Sequence, residues 1–264
     1  MTYLSEKVSK KTKKALSPKT IRDTVSDIHA FFVWAEGRGF IEVNPFHLVS
    51  STILEKKVGR KNKREWSPEE IKRFLDVSQS DPRIVAMFAL ALFTGMRGRE
   101  LANIKADSPS EKFLWVDAGK NKSSVRQVPV HPIIQPLVTK LRNDAGADGY
   151  LIPGLTVSQP DNNRYKNIGK KIKRLRAKAN ISEEVDFHST RRSVAGALER
   201  AGVSQDMAAR ILGHTPTSLT YGLYSGGLKQ DQLLEAVKSI HYGDGVEGSL
   251  REVITNTFGV CYDL

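Results

Sequence analysis

Ten consecutive residues, Ile84 to Phe93, carry no polar side chain. A helix built from them is apolar on every side, so it is stable only when other elements surround it. The stretch is too short to cross a bilayer. It therefore predicts a globular domain assembled around one central helix. The 264 residues suffice for one large domain or two smaller ones, and a hydrophobic content of 39% permits a substantial core.

The elements around that helix are punctuated by recognisable signals. Ser17-Pro18 reads as an N-cap followed by a first helical residue, and Ile21, Val25, Ile28, Phe32 and Ala35 then recur on one helical face. Gly37 and Gly39 end that helix. Ser67-Pro68-Glu69-Glu70 is a capping box with proline at the first helical position, and Ile71, Phe74 and Leu75 supply a buried face behind it. Phe113 to Val116 and Val125 to Val130 read as two strands joined by a polar hairpin turn, Gly119 to Ser124. Further helices are predicted over about 133–142, 164–179, 188–201, 204–212 and 229–240. Gly243 to Gly248 reads as a flexible break. Leu250, Val253, Ile254 and Phe258 in the tail suggest a short amphipathic helix. The expected class is mainly α with a small β-sheet (α+β).

Charge narrows the partner. Lys and Arg number 41 against 29 Asp and Glu, a formal net charge of +12, which points to a polyanion such as nucleic acid. Lys56, Lys57, Arg60, Lys61, Lys63 and Arg64 make residues 53–66 a basic linker, either an exposed tether or a strap along a nucleic-acid backbone. Lys170, Lys171, Lys173 and Arg174, with Arg164, Lys166, Arg176 and Lys178, crowd the polar side of the 164–179 helix and suggest phosphate contacts. One cysteine, Cys261, excludes an internal disulfide framework and fits a reducing cytoplasm. The first residues do not read as a secretory signal, and no membrane segment is expected. No phosphate-cradling Gly-rich loop with Lys-Ser/Thr is present, no zinc-ligand spacing occurs and no carboxylate cluster suggests magnesium, so neither a cofactor nor a metal is expected.

Five polar residues stand in order along the rest of the chain: Arg97 in Thr94-Gly95-Met96-Arg97-Gly98-Arg99-Glu100-Leu101, His188 and Arg191 in His188-Ser189-Thr190-Arg191, His214 in Leu212-Gly213-His214, and Tyr224 in Thr220-Tyr221-Gly222-Leu223-Tyr224. Attack on a phosphodiester needs a nucleophile, charge stabilisation on the non-bridging oxygens, a base and an acid. A phenol, two guanidiniums and two imidazoles are suited to these tasks without a metal. His188 and Arg191 are three residues apart and so share a helical face. Gly213 also reads as a left-handed helix C-cap, with His214 next to it.

This set of motifs, over roughly the last three quarters of the chain, resembles the tyrosine recombinase or phage integrase family. The resemblance implies a tyrosine-recombinase-like catalytic domain at 67–242, preceded by a small, partial helical DNA-clamp domain at 1–52 and the linker at 53–66, with 243–264 as break and tail. The segment before the linker is short beside the family's clamp domain of four or more helices. The resemblance implies site-specific cleavage and rejoining of double-stranded DNA, in phage or mobile-element integration or excision, through a 3′-phosphotyrosyl link to Tyr224. Arg97 and Arg191 would hold the phosphoryl oxygens, His188 would assist proton removal and His214 would hydrogen-bond the scissile phosphate. A lysine on the hairpin, Lys120 or its neighbour Lys122, would protonate the leaving oxygen; Lys120 opens a Lys…Arg-x-x-Pro string like the family's. Glu100, three residues after Arg97, would orient it rather than touch DNA. Family members generally place the tyrosine nine residues beyond the second histidine; here Tyr224 lies ten and Tyr221 seven beyond His214. Where the family's His-x-x-Arg box usually continues with histidine, this chain has Arg192. The family works as a homotetramer on paired sites, with room for accessory DNA-bending proteins. The alternative is a degraded, non-catalytic relative, with Ser189 to His214 acting as a helix-turn-helix-like binding segment.

Overall fold

The computed structural model describes residues 7–8, 15–46, 62–108, 110–117, 125–214 and 229–262. The chain divides into two compact units, Met1–Lys61 and Asn62–Leu264. In the first, helix α1 (Pro18–Gly37) starts as its sequence dictates: the Ser17 hydroxyl accepts the Thr20 N–H at 3.1 Å and Pro18 follows in the first turn. Val25 and Ala35 are buried on the anticipated face, and Phe32 stacks on Phe46 with ring centroids 5.2 Å apart.

Among its described residues the second unit is mainly helical, with one two-stranded sheet. Helix α2 (Pro68–Ser78) opens with the expected capping box between Ser67 and Glu70. Helix α3 (Pro82–Thr94) is the central rod: Ile84 to Thr94 are all buried. Asp81 caps its start, and Gly95, at φ +61°, ends it in the left-handed conformation that a side chain would resist. A short helix α4 (Gly98–Asn103) follows. Strands β1 (Phe113–Val116) and β2 (Arg126–Pro129) pair antiparallel with Phe113 opposite Pro129 and Val116 opposite Arg126. The predicted turn between them lies outside the described residues, except for its flanks. Then come α5 (Gln135–Asn143), α6 (Tyr165–Lys178), α7 (Ser189–Arg200), α8 (Gln205–Leu212), α9 (Gln230–Lys238) and α10 (Asp244–Phe258). Helix α7 packs on α3 on one side, and α10 packs on both α2 and α3.

Two sequence expectations need correction. Gly243 to Gly248 is not a flexible break: Gly243 is the N-cap of α10, and the helix begins at Asp244. Val246, Leu250, Val253 and Ile254 are buried by it, and their burial outweighs the roughly 1 kcal/mol that each helical glycine costs. Glu247 fastens the first turn by accepting the Tyr242 N–H at 3.3 Å, with His241 Nδ1 2.8 Å away, and the Tyr242 hydroxyl donates to the Leu92 carbonyl at 2.6 Å. The basic residues at 164–178 are also not uniformly outward. Arg164 is buried, donates to the Ala102 carbonyl at 2.9 Å and lies over the Tyr150 ring. Lys171 pairs with Asp81 at 3.2 Å and Arg176 donates to the Val185 carbonyl.

His131 shows how tightly this core closes. Its Nδ1 accepts the Ile133 N–H at 3.1 Å, its ring lies 4.5 Å from that of Phe93, and burial pushes its pKa down to about 4. Below pH 6.5 the unfolded chain therefore binds a proton that the folded chain refuses. Folding stability should fall as pH drops from 6.5 towards 4, by about 3 kcal/mol from this group. Urea unfolding across that range should show a shallower acid slope for His131→Asn. Leu250→Ala should lose about 2–5 kcal/mol in the same assay at pH 7, since it leaves a cavity under α10.

Candidate active site

Gly95 brings three distant segments together. A Cβ placed on it would lie 2.4 Å from Leu212 Cδ2 and 3.3 Å from Val194 Cγ1, so the turn leading to Arg97 sits directly against α7 and the end of α8. Arg191, on the first turn of α7, reaches across and donates from Nη1 to the Gly95 carbonyl at 2.9 Å. Arg191 is only 4% exposed, and its Nη2 is buried without an acceptor among the described residues. Buried guanidinium nitrogens are normally satisfied. This one fits an anionic oxygen supplied by a ligand. Burial, with Arg97 and Arg126 nearby, lowers the Arg191 pKa to about 10, so it stays charged at neutral pH.

Glu100 fixes Arg97. Its carboxylate accepts the Arg97 backbone N–H at 2.9 Å and the Arg97 Nη1 at 2.8 Å. It also accepts Arg126 Nη2 at 2.9 Å, while Arg126 Nε donates to the Ile211 carbonyl at 3.2 Å. Burial by itself would raise the Glu100 pKa; the hydrogen bonds and charges of Arg126 and Arg97 overcome it and hold the carboxyl below the usual carboxylate range. The side chains of Glu100 and Arg126 are 7% and 8% exposed, that of Arg97 42%. Arg126 is thus spent inside the protein, and Arg97 is oriented yet open. Sequence reading missed Arg126 as a site residue. Its signal was its place in the hairpin string, and nothing there showed which way it faced.

Gly213 is required twice. It ends α8 at φ +69°, and a Cβ there would come within 2.6 Å of Arg126 Nη1. The C-cap and the site are therefore one feature, which places His214 beside the arginines. Burial first, and then the charges of Arg191, Arg97 and Arg126, lower the His214 pKa. Burial and Arg191 do the same to His188, against the opposing pull of Asp186. Both imidazoles are neutral at pH 7, each offering one donor and one acceptor nitrogen. Arg97, Arg191, His188 and His214 thus form one electrostatic cluster, in which Arg126 is a third guanidinium and Glu100 and Asp186 supply opposing carboxylates.

The other expected residues fall in several places. Tyr224, its rival Tyr221, Lys120, Lys122, Lys56, Lys57, Arg60 and Lys61 lie outside the described residues. Arg64 is committed within the unit, to Glu70 at 2.7 Å and Glu184 at 3.3 Å. Lys63 pairs with Asp186 at 3.1 Å and donates to the Glu183 carbonyl at 2.7 Å. Lys170, Lys173 and Arg174 are exposed on α6. Among the described residues no group of three His, Cys, Asp or Glu is placed to hold a metal ion, and no helix is long and apolar enough to cross a membrane.

Removing the carboxylate charge should expose its role. Glu100→Gln leaves the arginines without their counter-charge and should cost about 3 kcal/mol in urea unfolding. Adding Arg126→Gln should return part of that loss, because the two changes act on one network.

Residues 65–230, more than half of the chain, match the model of the phage integrase family. The chain is 24% identical over 225 residues to the tyrosine recombinase of Pseudothermotoga lettingae, a match covering 83% of this chain and 73% of the relative. Its fold is similar to that of the integrase from mycobacterium phage Brujita, with a TM-score of 0.55 at 21% identity over 89% of this chain and 78% of that one. It is also similar to a lambda integrase tetramer bound to a Holliday junction, with a TM-score of 0.54 at 20% identity over 79% of this chain and 61% of that one. The matched segment spans the Arg97–Glu100 turn, the His188–Arg191 helix start and His214, and the chain belongs to the phage integrase family, that of the tyrosine recombinases.

Proposed function

We propose that this protein is a site-specific DNA recombinase that cleaves and rejoins DNA through a 3′-phosphotyrosyl link to Tyr224. The observation that carries the reading is the buried Nη2 of Arg191, without an acceptor among the described residues, beside the Glu100-oriented Arg97 and two neutral imidazoles. Such a cluster is preorganised for the extra negative charge of a pentacoordinate phosphoryl group. Arginine suits it because its planar fork donates two hydrogen bonds and keeps its charge.

The phenolic oxygen of Tyr224 attacks the scissile phosphorus as its proton passes to His188, whose lowered pKa leaves a nitrogen free to accept it. The bond from phosphorus to the 5′-oxygen breaks, and Lys120 supplies a proton to that oxygen. Arg97 and Arg191 hold the non-bridging oxygens, and His214 donates a hydrogen bond to one of them. The phosphotyrosyl bond conserves the energy of the broken one. A 5′-hydroxyl from the partner duplex then reverses the steps and joins the exchanged strands, with no cofactor consumed.

The lambda integrase tetramer on a Holliday junction has this fold, and we carry that arrangement to this chain as a homotetramer on paired DNA sites. Lys170, Lys173 and Arg174 on α6 are the exposed cations offered to the backbone. The biological setting we assign is integration or excision of phage or mobile-element DNA in the cytoplasm.

Duplexes bound by the protein can be selected from a random-sequence pool and then nicked to make suicide substrates. The wild-type chain should form an SDS-resistant adduct on them, with or without EDTA. Tyr224→Phe should abolish it and Tyr221→Phe should not; the reverse outcome would move the nucleophile to Tyr221. Arg191→Ala should slow adduct formation by about 10²–10³-fold. Tight binding that never yields an adduct would favour the non-catalytic reading.

A further inference from the structure

Tyr165, the first residue of α6, stands between the two segments that carry Arg97 and His188. On one side is Gly98, the residue after Arg97. A Cβ built on Gly98 would come within 2.4 Å of Tyr165 Cε2 and 2.6 Å of its Cζ. On the other side is Phe187, the residue before His188, with ring centroids 5.6 Å apart. A third approach comes from the same helix, where a Cβ on Gly169 would lie 2.9 Å from Cε1. The ring and His188 both line a cleft of about 520 Å³, which Lys63 and Lys173 also border.

The two glycines are informative. Neither has a positive φ, so the backbone at these positions would accept any residue. Glycine inside a helix costs roughly 1 kcal/mol relative to alanine. What forbids a Cβ at Gly98 and Gly169 is the Tyr165 ring itself. Its phenol is largely buried, and burial pushes its pKa up to about 12, so it is neutral at working pH.

We propose that Tyr165 is a positioning residue for DNA cleavage: its ring sets the spacing between Arg97 and His188 and ties both to α6, the helix that presents Lys170, Lys173 and Arg174. The proposal rests on the reading that Arg97 and His188 serve one phosphate. Two groups that must meet one phosphoryl centre tolerate little displacement, and a shift of about 1 Å costs on the order of 10²-fold in rate.

The test uses the full chain with Tyr165→Leu, Tyr165→Phe and Gly98→Ala. Without DNA, the His188 imidazole is titrated by NMR; the charged groups acting on it are Arg191, Asp186, Arg97 and Arg192. Tyr165→Leu should move its midpoint, Tyr165→Phe should restore the wild-type value, and Gly98→Ala, which displaces the ring from the other side, should act like Tyr165→Leu. With nicked duplex, Tyr165→Leu should slow single-turnover adduct formation by about tenfold or more while Kd stays within about threefold. The loss should shrink in a His188→Ala background, because the ring acts through that residue. An unmoved His188 midpoint in both Tyr165→Leu and Gly98→Ala overturns the proposal. So do equal losses in Kd and rate, losses that multiply with His188→Ala, or a Tyr165→Phe variant as damaged as Tyr165→Leu. If one variant does not fold, the other decides. A wild-type chain that forms no adduct refutes the recombinase reading instead, and the His188 titration then judges Tyr165 on its own.

Discussion

Three guanidiniums, those of Arg97, Arg126 and Arg191, crowd one corner of the larger unit, and like charges at such range repel strongly where water is partly excluded. Glu100 makes the crowding tolerable. Its two oxygens are shared between Arg97 and Arg126, and its charge also favours the ionised form of Arg191. The carboxylate divides the arginines by role. Arg126 turns inward and ties strand β2 to the end of α8 through the Ile211 carbonyl. Arg97 is held by one nitrogen and left open to solvent. A buried carboxylate with fewer partners would be protonated or expelled; here the two arginines keep it ionised, and it in turn keeps them in place.

The excess of positive charge that remains has a direct consequence for the histidines. Each imidazole is held neutral first by its burial and then by neighbouring cations that resist a further proton. In the reaction proposed above, a phosphate entering the cluster would supply negative charge and raise their proton affinity. The geometry is in place beforehand, because Gly95, Gly213 and the Arg191 bond to the Gly95 carbonyl lock the three contributing segments together. That preorganisation is what distinguishes a site for a developing charge from a surface that merely attracts DNA.

The scaffold behind the site is equally economical. Helix α3 is buried on every side, and its C-terminal turn is the platform from which Arg97 projects. Helix α10 closes over it, and Tyr242, just before α10, binds the Leu92 carbonyl near the end of the same rod. A segment with three glycines in six residues reads in the sequence as a flexible break, yet it folds into the N-cap and first turns of that covering helix. Apolar residues at helical spacing, arriving at an exposed flank of the core, decided the matter against local propensity.

The amino-acid order alone determined the central helix, the caps at Ser17, Ser67 and Gly213 and the two strands, and it brought forward the residues proposed for phosphate chemistry. Those features depend on neighbours a few positions apart, where periodicity and side-chain type carry the information. Glu100 was legible as an orienting group because its partner Arg97 lies one turn away. Arg126 was not, since its partners Glu100 and Ile211 come from elsewhere in the chain. Arg164 and Lys170 share a charge and a helix region, yet one is buried against Ala102 and the other exposed. The place of the Tyr165 ring against Gly98 likewise has no signal in the sequence. Only the tertiary structure decided these cases, because the sign of a charge or the size of a ring says nothing about what will be packed opposite it.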